Sequence, residues 1–310
     1  MLLVTGATGY VGAALVTLLL ERGLEPRAVV RAPERARALP PGVRWVVADL
    51  ADPDALRRAT EGCEGVFHLA ASVGRSAAET HRLNVRGTEA VLAAAGAAGV
   101  RRFVHTSTAA AIVDPTGLVS ERATGGTALV DPYSTSKAES ERLVLAIGAN
   151  AESATVLETV VVSPVSIYGP SPAGPHSYNE LFAAAARGEV TEVVDATVGW
   201  VLATDVALGH LLAYQHGEPG QRYVLCGETA SFGSVLHRYA ELVGSPHRVR
   251  ALPPGSSLGP DASTFASRSE VYGKLGPVRV DDAGARALGF APAGLDDGLA
   301  RTAAWLSGPG

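Results

Sequence analysis

Leu2-Leu3-Val4-Thr5-Gly6-Ala7-Thr8-Gly9-Tyr10-Val11-Gly12 decides the fold. Residues 2–5 read as a strand, the glycines as a tight turn, and the Ala/Leu-rich run 10–22 as the helix that follows. Gly6 permits the turn, Gly9 lets backbone N–H groups approach a diphosphate, and Gly12 lets helix and strand pack closely. The helix start then presents its unpaired N–H groups to the anion. Such a glycine pattern is informative only at the first strand–helix junction of a βαβ unit, which is where it stands here.

Working outward, short β-branched runs alternate with long helical ones. Further strands are expected at 27–30, 44–48, 66–69, 103–106 and 155–162, and helices at 53–61, 79–98 and 134–148. This alternation predicts an α/β fold, a Rossmann-type doubly wound parallel sheet with helices on both faces. Thr159-Val160-Val161-Val162 is apolar enough for a strand buried on both sides. After Gly169-Pro170 the rhythm breaks, with helical patches at 178–186, 205–216 and 232–243 and a Pro/Gly/Ser-rich stretch at 253–260. The expected organisation is a dinucleotide-binding domain over 1–168. A smaller, irregular C-terminal lobe over 169–310 binds substrate and returns some segments to the sheet.

Bulk properties exclude other classes. With 47% hydrophobic and 18% charged residues, the chain has the makings of a sizeable core. A net charge of −5 leaves no basic footprint for nucleic acid or an anionic membrane. Cys63 and Cys226 lie far apart in apolar surroundings, which argues against a disulfide framework or a metal site and fits a reducing cytoplasm. The start of the chain lacks a charged leader, and the apolar run 11–20 is too short to span a bilayer. Nearly all basic residues are Arg; the lysines are Lys137 and Lys274, and the asparagines are Asn84, Asn150 and Asn179. In so biased a composition a Lys or Asn carries extra information.

The second strand ends at Val29-Val30-Arg31, where an NAD enzyme places an acidic residue on the ribose 2′-hydroxyl. A guanidinium suits a 2′-phosphate instead, so Arg31, with Arg35 and Arg37 behind it, favours NADP(H) over NAD(H). Asp49-Leu50 ends the third strand, well placed to meet the adenine. In Asp131-Pro132-Tyr133-Ser134-Thr135-Ser136-Lys137, Tyr133 and Lys137 are four apart and share a helical face. An ammonium beside a phenol lowers its proton affinity and makes it a usable acid and base near neutrality. His68, His81, His105 and His210 lack metal-ligand spacing and read as packed or surface histidines, and Asp205 after Thr204 reads as a helix N-cap.

Taken in order, these segments resemble the extended short-chain dehydrogenase/reductase family. The matches are the glycine loop with Thr5, Asp49-Leu50, His68-Leu69-Ala70-Ala71, Asn84-Val85-Arg86-Gly87-Thr88 and Phe103-Val104-His105-Thr106-Ser107-Thr108. Tyr133 with Lys137, the run from Ser163-Pro164-Val165-Ser166 to Gly169-Pro170, and Ala287-Leu288-Gly289-Phe290-Ala291-Pro292 complete them. The resemblance implies hydride transfer, with Thr108 hydrogen-bonding the substrate oxygen, Tyr133 exchanging its proton and Lys137 holding the ribose. Ser107 is the alternative hydroxyl, and Thr108 read by itself also suits a strand-end cap. The cofactor set implied is Gly6, Gly9, Tyr10, Val11, Gly12, Arg31, Asp49, Leu50, Ala70, Tyr133, Lys137, Pro164 and Ser166. Asn84 fits a pocket wall or a helix anchor equally.

Among the family's activities, the dihydroflavonol-reductase and 3β-hydroxysteroid-dehydrogenase branch is most similar. It implies an NADPH-dependent reductase of a small-molecule carbonyl substrate, and similar enzymes pair as homodimers through sheet-flanking helices. The alternative is a nucleotide-sugar epimerase or 4-ketoreductase. A sugar dehydratase needs an Asp-Glu pair where Ala109 and Ala110 stand. A non-catalytic NADP sensor would have lost the Tyr/Lys pair. The aromatics Tyr168, Tyr178, Phe182, Trp200 and Phe265 suit either core or pocket lining.

Overall fold

Successive side chains of a strand face opposite ways, so a strand covered on both sides must be apolar throughout. Leu2-Leu3-Val4-Thr5 meets that condition, and all four residues are buried. The computed structural model describes residues 1–149, 157–260 and 262–308. Its elements begin β1 (Leu2–Thr5), α1 (Tyr10–Glu21), β2 (Pro26–Val30), β3 (Arg44–Val47), α2 (Pro53–Thr60) and β4 (Gly65–His68). They continue α3 (Ala77–His81), α4 (Gly87–Ala97), β5 (Arg102–Thr106), β6 (Leu118–Ser120), α5 (Pro132–Ala149) and β7 (Glu158–Pro164). Next come β8 (Ser166–Tyr168), α6 (Tyr178–Ala186), β9 (Glu192–Val194), β10 (Thr197–Leu202), α7 (Ala203–His216), β11 (Arg222–Leu225) and β12 (Glu228–Ser231). The chain closes with α8 (Phe232–Leu242), β13 (Arg250–Leu252), α9 (Thr264–Tyr272), β14 (Arg279–Asp281), α10 (Ala283–Ala287) and α11 (Leu295–Ser307).

Seven strands form one sheet in the order β11-β7-β5-β4-β1-β2-β3, each neighbouring pair parallel. This is the Rossmann-type doubly wound sheet that the sequence rhythm implies. Leu2, Val4, Phe67, Val104 and Val160 face a core shared with Leu15 and Leu19 of α1 and Val206 and Leu211 of α7. Leu3, Val29, Val66, Phe103 and Val161 face the other core, with Leu56 of α2, Val91 of α4 and Val144 of α5. Full burial of each such side chain contributes roughly 1.5–3 kcal/mol. Because β1 lies between β2 and β4, the winding reverses there and leaves a crevice beyond the strands' C-terminal ends.

The later segments build a three-stranded sheet β12-β10-β8 and the pairs β13-β9 and β14-β6, while α7 and β11 return to the main sheet. Trp200 centres their aromatic packing, with ring centroids 5.1 Å from Tyr178, 5.3 Å from Phe232, 5.9 Å from Phe182 and 6.2 Å from Tyr168. These rings are buried, and the indole donates to the Ala230 carbonyl at 3.1 Å. Most of the aromatics that suited either core or pocket lining are therefore core.

Several elements depart from the sequence reading. The long helix expected over 79–98 is α3 and α4 joined by a π-helical segment, Arg82–Arg86, and Asn84 in its middle is fully buried. Asp205 lies inside the first turn of α7, where its Oδ2 accepts from the Ala293 amide at 3.0 Å; the N-cap residue is Leu202. The strand expected from residue 155 is seen from Glu158, and residues 155–156 lie outside the described residues, as does Asn150. Among the described residues no helix is long and apolar enough to cross a membrane.

Candidate active site

The crevice at the switch point is a cleft of about 490 Å³. Gly6 turns it at φ +69°, and the Gly6 carbonyl accepts the Gly9 amide at 2.9 Å. A Cβ on Gly12 would stand 2.1 Å from the Gly6 carbonyl oxygen, and one on Gly6 would stand 2.7 Å from the Ala70 nitrogen. The first and third glycines thus let turn, helix and neighbouring strand end meet. Thr5, Gly6, Gly9, Arg31, Arg35, Asp49, Leu50, Ala70 and Ser72 line the cleft together with Arg75 and Arg82. Among the described residues Arg31, Arg35 and Arg82 have no ion-pair partner. The Ser72 hydroxyl is buried without a hydrogen-bond partner among the described residues. A glycine cradle, four guanidinium groups and an unsatisfied hydroxyl are a donor set that fits a phosphorylated dinucleotide.

Behind the cleft, Thr88 Oγ1 donates to the Asn84 carbonyl at 2.7 Å and accepts from His68 Nε2 at 3.0 Å. His68 Nδ1 is then the acceptor for Thr5 Oγ1 at 2.7 Å, and Thr5 Oγ1 accepts the Ala70 amide at 3.2 Å. This assigns His68 as the neutral Nε2–H tautomer. Burial, helped by the charge of Lys137, pushes its pKa down to about 3. Asn84 accepts from the Ser72 amide at 2.7 Å and donates to the Ser72 carbonyl at 3.1 Å and Ser136 Oγ at 3.0 Å. Its amide therefore anchors the cleft floor to α5, and the π segment that presents it is a feature often found at functional sites.

On α5, Asp131 precedes Tyr133 and its carboxylate accepts the Ser134 amide at 3.0 Å and hydroxyl at 2.7 Å, fixing the helix start. Lys137, one turn on, is 2% exposed. Its Nζ donates to the Thr106 carbonyl at 2.6 Å and lies 3.2 Å from His105 Nε2. Burial pushes its pKa down to about 8 against the opposing charge of Glu141. Glu141, a further turn along, ion-pairs with buried Arg222 and accepts the Ser107 hydroxyl.

Ser107 is thereby committed to the interior. Thr108 lies near the Tyr133 hydroxyl, whose proton affinity its side chain lowers, and Thr108 Oγ1 accepts the Ala110 amide at 3.3 Å. The phenol's proton affinity is raised by burial, against the charge of Arg268 and the nearby Thr108 side chain. This corrects the expectation that Lys137 would lower it. The ammonium turns to the Thr106 carbonyl, and the cation acting on Tyr133 is Arg268, from α9 of the second lobe.

Of the sequence-derived cofactor set, Gly6, Gly9, Arg31, Asp49, Leu50 and Ala70 come together in the cleft lining. Tyr10, Val11, Gly12, Tyr133, Lys137, Pro164, Ser166 and the catalytic candidate Thr108 lie outside it. Gly12 packs on the loop. Tyr10 donates to the Gly169 carbonyl at 2.5 Å and accepts from Asn179 at 2.8 Å, so it ties the glycine loop to the second lobe. Pro164 ends β7, and Ser166 pairs with Trp200 across β8 and β10.

A family model described as "NAD dependent epimerase/dehydratase family" matches residues 2–226. The chain belongs to that family. Within it the chain is 35% identical over 263 residues, 81% of this chain and 74% of the other, to a "putative dihydroflavonol 4-reductase" of Synechocystis sp.. It is 34% identical over 311 residues, 93% of this chain and 91% of the other, to a "4-hydroxy-2-methyl-3-oxo-4-farnesyl-3,4-dihydroquinoline-1-oxide ketoreductase" of Stigmatella aurantiaca. A solved structure, "MoeE5 in complex with UDP-glucose and NAD", superposes with a TM-score of 0.78 at 28% identity, covering 98% of each chain. The protein is therefore an enzyme of the epimerase/dehydratase superfamily on an extended short-chain dehydrogenase/reductase fold.

Sequence reading missed Ser72, Arg75, Arg82, Glu141, Asn179 and Arg268. The scarcity of asparagine was a usable signal for Asn179, which holds Tyr10 and accepts the Gly169 amide at 2.8 Å. Arg268 carried none, being one arginine among many.

Proposed function

We propose that the protein is an NADP(H)-dependent ketoreductase, with residues 1–168 holding the nucleotide and 169–310 supplying most of the substrate wall. The carrying observation is the Tyr133 phenol, beside Thr108 and on the helix that also bears buried Lys137. Burial keeps the phenol protonated near neutrality, the state required of a proton donor. For the phosphorylated nucleotide, the support is Arg31 and Arg35 in the cleft without ion-pair partners among the described residues. The relatives named as reductases support the reaction class.

The glycine loop with the amides of Tyr10 and Val11 would hold the diphosphate, and Arg31 the 2′-phosphate. Asp49, Leu50 and Ala70 would surround the adenosine, and Pro164 and Ser166 would lie at the nicotinamide end. When bound, the reduced cofactor supplies a hydride to the carbonyl carbon. Thr108 orients the carbonyl oxygen, Tyr133 donates the phenolic proton to it within the field of the Arg268 cation, and Lys137 would hold the ribose. Ketone, hydride and proton give the alcohol.

A nucleotide-sugar epimerase returns its hydride to the same substrate, so redox stoichiometry separates the two readings. NADPH deuterated on the pro-S face should be consumed once per product molecule, with one label retained. Product formed without NADPH consumption or label would make the enzyme an epimerase. Tyr133→Phe should cut turnover by ~100-fold or more while NADPH still binds; near-normal turnover would remove Tyr133 from the mechanism.

A further inference from the structure

The guanidinium of Arg268 on α9 pairs with Asp131 at the start of α5, two residues before Tyr133, and lies over the ring of Tyr272, in the electrostatic reach of Tyr133 and of Tyr178 on α6. The guanidinium carbon lies 5.5 Å from the centroid of the Tyr272 ring. Tyr178 packs on Phe265 of the same helix α9 at 5.2 Å, which locks the aromatic wall behind the charge. The Arg268 side chain is 23% exposed, so it is largely enclosed yet open on one side.

Its charge is incompletely answered. Asp131 is the ion-pair partner among the described residues, at 3.7 Å, and that carboxylate already caps α5 through two hydrogen bonds to Ser134. A guanidinium has five N–H donors in a planar fork that matches a carboxylate. The one ion pair with Asp131 leaves donors over, in the same cluster as the phenol that gives up its proton. A desolvated cation in that state is best offset by an anionic oxygen brought in from outside.

We propose that Arg268 binds a carboxylate of the substrate, so that the ketones reduced are oxo acids. Their carbonyl faces Tyr133 and Thr108, their carboxylate pairs with Arg268, and their hydrocarbon part lies on the half-buried rings of Phe265 and Tyr272. This rests on the ketoreductase reading and names its substrate class. It also gives the second lobe a part in orientation: a substrate fixed at both ends presents one face of its carbonyl.

The test compares acetoacetate and longer 3-oxo acids with their methyl esters, which keep the carbonyl and lose the charge. The native enzyme should favour the acids by ~10-fold or more in kcat/KM, since a charge-assisted bidentate contact is lost in the ester. Arg268→Gln should collapse the acid-to-ester ratio toward one, chiefly through a rise in KM for the acid of ~10- to 100-fold. Arg268→Lys, which keeps the charge without the fork, should recover part of the ratio. Thermal unfolding of each variant checks that it is folded. Equal use of acid and ester by the native enzyme would overturn the proposal, as would an Arg268→Gln loss that falls alike on both and mostly in kcat. If no carbonyl compound consumes NADPH, the ketoreductase reading fails, and calorimetric titration with acetoacetate still decides the site. Binding by the native protein and not by Arg268→Gln supports the carboxylate site; no binding, or equal binding by both, rejects it.

Discussion

Replacing Lys137 with methionine removes an ammonium that the fold holds at a cost, and the cost has a pH signature. Nζ is enclosed by the Thr106 carbonyl at 2.6 Å and His105 Nε2 at 3.2 Å, and burial outweighs the favourable charge of Glu141. The pKa falls from 10.5 to about 8. At about 1.4 kcal/mol per unit, that gap is worth roughly 3 kcal/mol. Below pH 8 the lysine is protonated in both folded and unfolded chains, and the full penalty is present. Between pH 8 and about 10.5 the folded protein has released a proton that the unfolded chain still binds, so native stability rises with pH. Methionine carries no such proton. Measured against Lys137→Met, the native protein should therefore gain roughly 3 kcal/mol between about pH 7.5 and 10.5. Loss of the hydrogen bond to the Thr106 carbonyl, about 1–3 kcal/mol, shifts the difference equally at every pH and drops out. His68, pushed down to about 3, stays neutral across the window. The assay is urea unfolding of both proteins without nucleotide, followed by tryptophan fluorescence at several pH values. A difference that stays flat across the window would refute the argument that burial governs this lysine.

Arg31→Asp should erode or reverse a preference for NADP(H), because it removes an attractive pair and adds a repulsive one; equal kcat/KM for both cofactors in the native enzyme would contradict the 2′-phosphate assignment. Thr108→Val should lower turnover by ~10- to 100-fold through loss of a hydrogen bond to the reacting oxygen. Ser107→Ala should instead lower stability by about 1–3 kcal/mol, since it strips a hydroxyl from the buried Glu141 carboxylate; a larger turnover loss in Ser107→Ala than in Thr108→Val would exchange the two roles. Gly12→Ala should abolish nucleotide binding or folding, because its Cβ would meet the Gly6 carbonyl oxygen at 2.1 Å. Tight NADPH binding by that variant would show that the loop tolerates displacement.

What the sequence disclosed, it disclosed through local constraints. The glycine loop could be read because each requirement lies within a few residues: a positive φ at Gly6, and the meeting of Gly12 with the Gly6 carbonyl. The strands could be read because burial on both faces leaves an apolar run with no polar phase. The π segment could not. It coincides with Asn84, whose side chain is tied to Ser72 and Ser136, and with Thr88, whose hydroxyl bonds the Asn84 carbonyl. Those partners are set by the tertiary fold, while helix periodicity runs through 79–98 almost unbroken.

The same distinction separates the two hydroxyls after β5. Strand alternation puts Phe103 in the core shared with α2, α4 and α5, and His105, two residues on, touches Lys137 and Ser140 of α5. Ser107 continues that phase and reaches Glu141, while Thr106 faces the other way and bonds His210 of α7. Glu141 is two helical turns beyond Tyr133, so a hydroxyl engaged there is drawn along α5 away from the phenol. The period of two therefore contained the reason why Thr108, past the strand's end, is the one that meets Tyr133. Nothing comparable in the sequence pointed to Arg268. Its position depends on how α9 packs against α6, through Tyr178 and Phe265, and on where Asp131 caps α5. Tyr133, the proposed proton donor, stood out through a four-residue spacing, whereas the cation that acts on it is supplied by the part of the fold where periodicity had already failed.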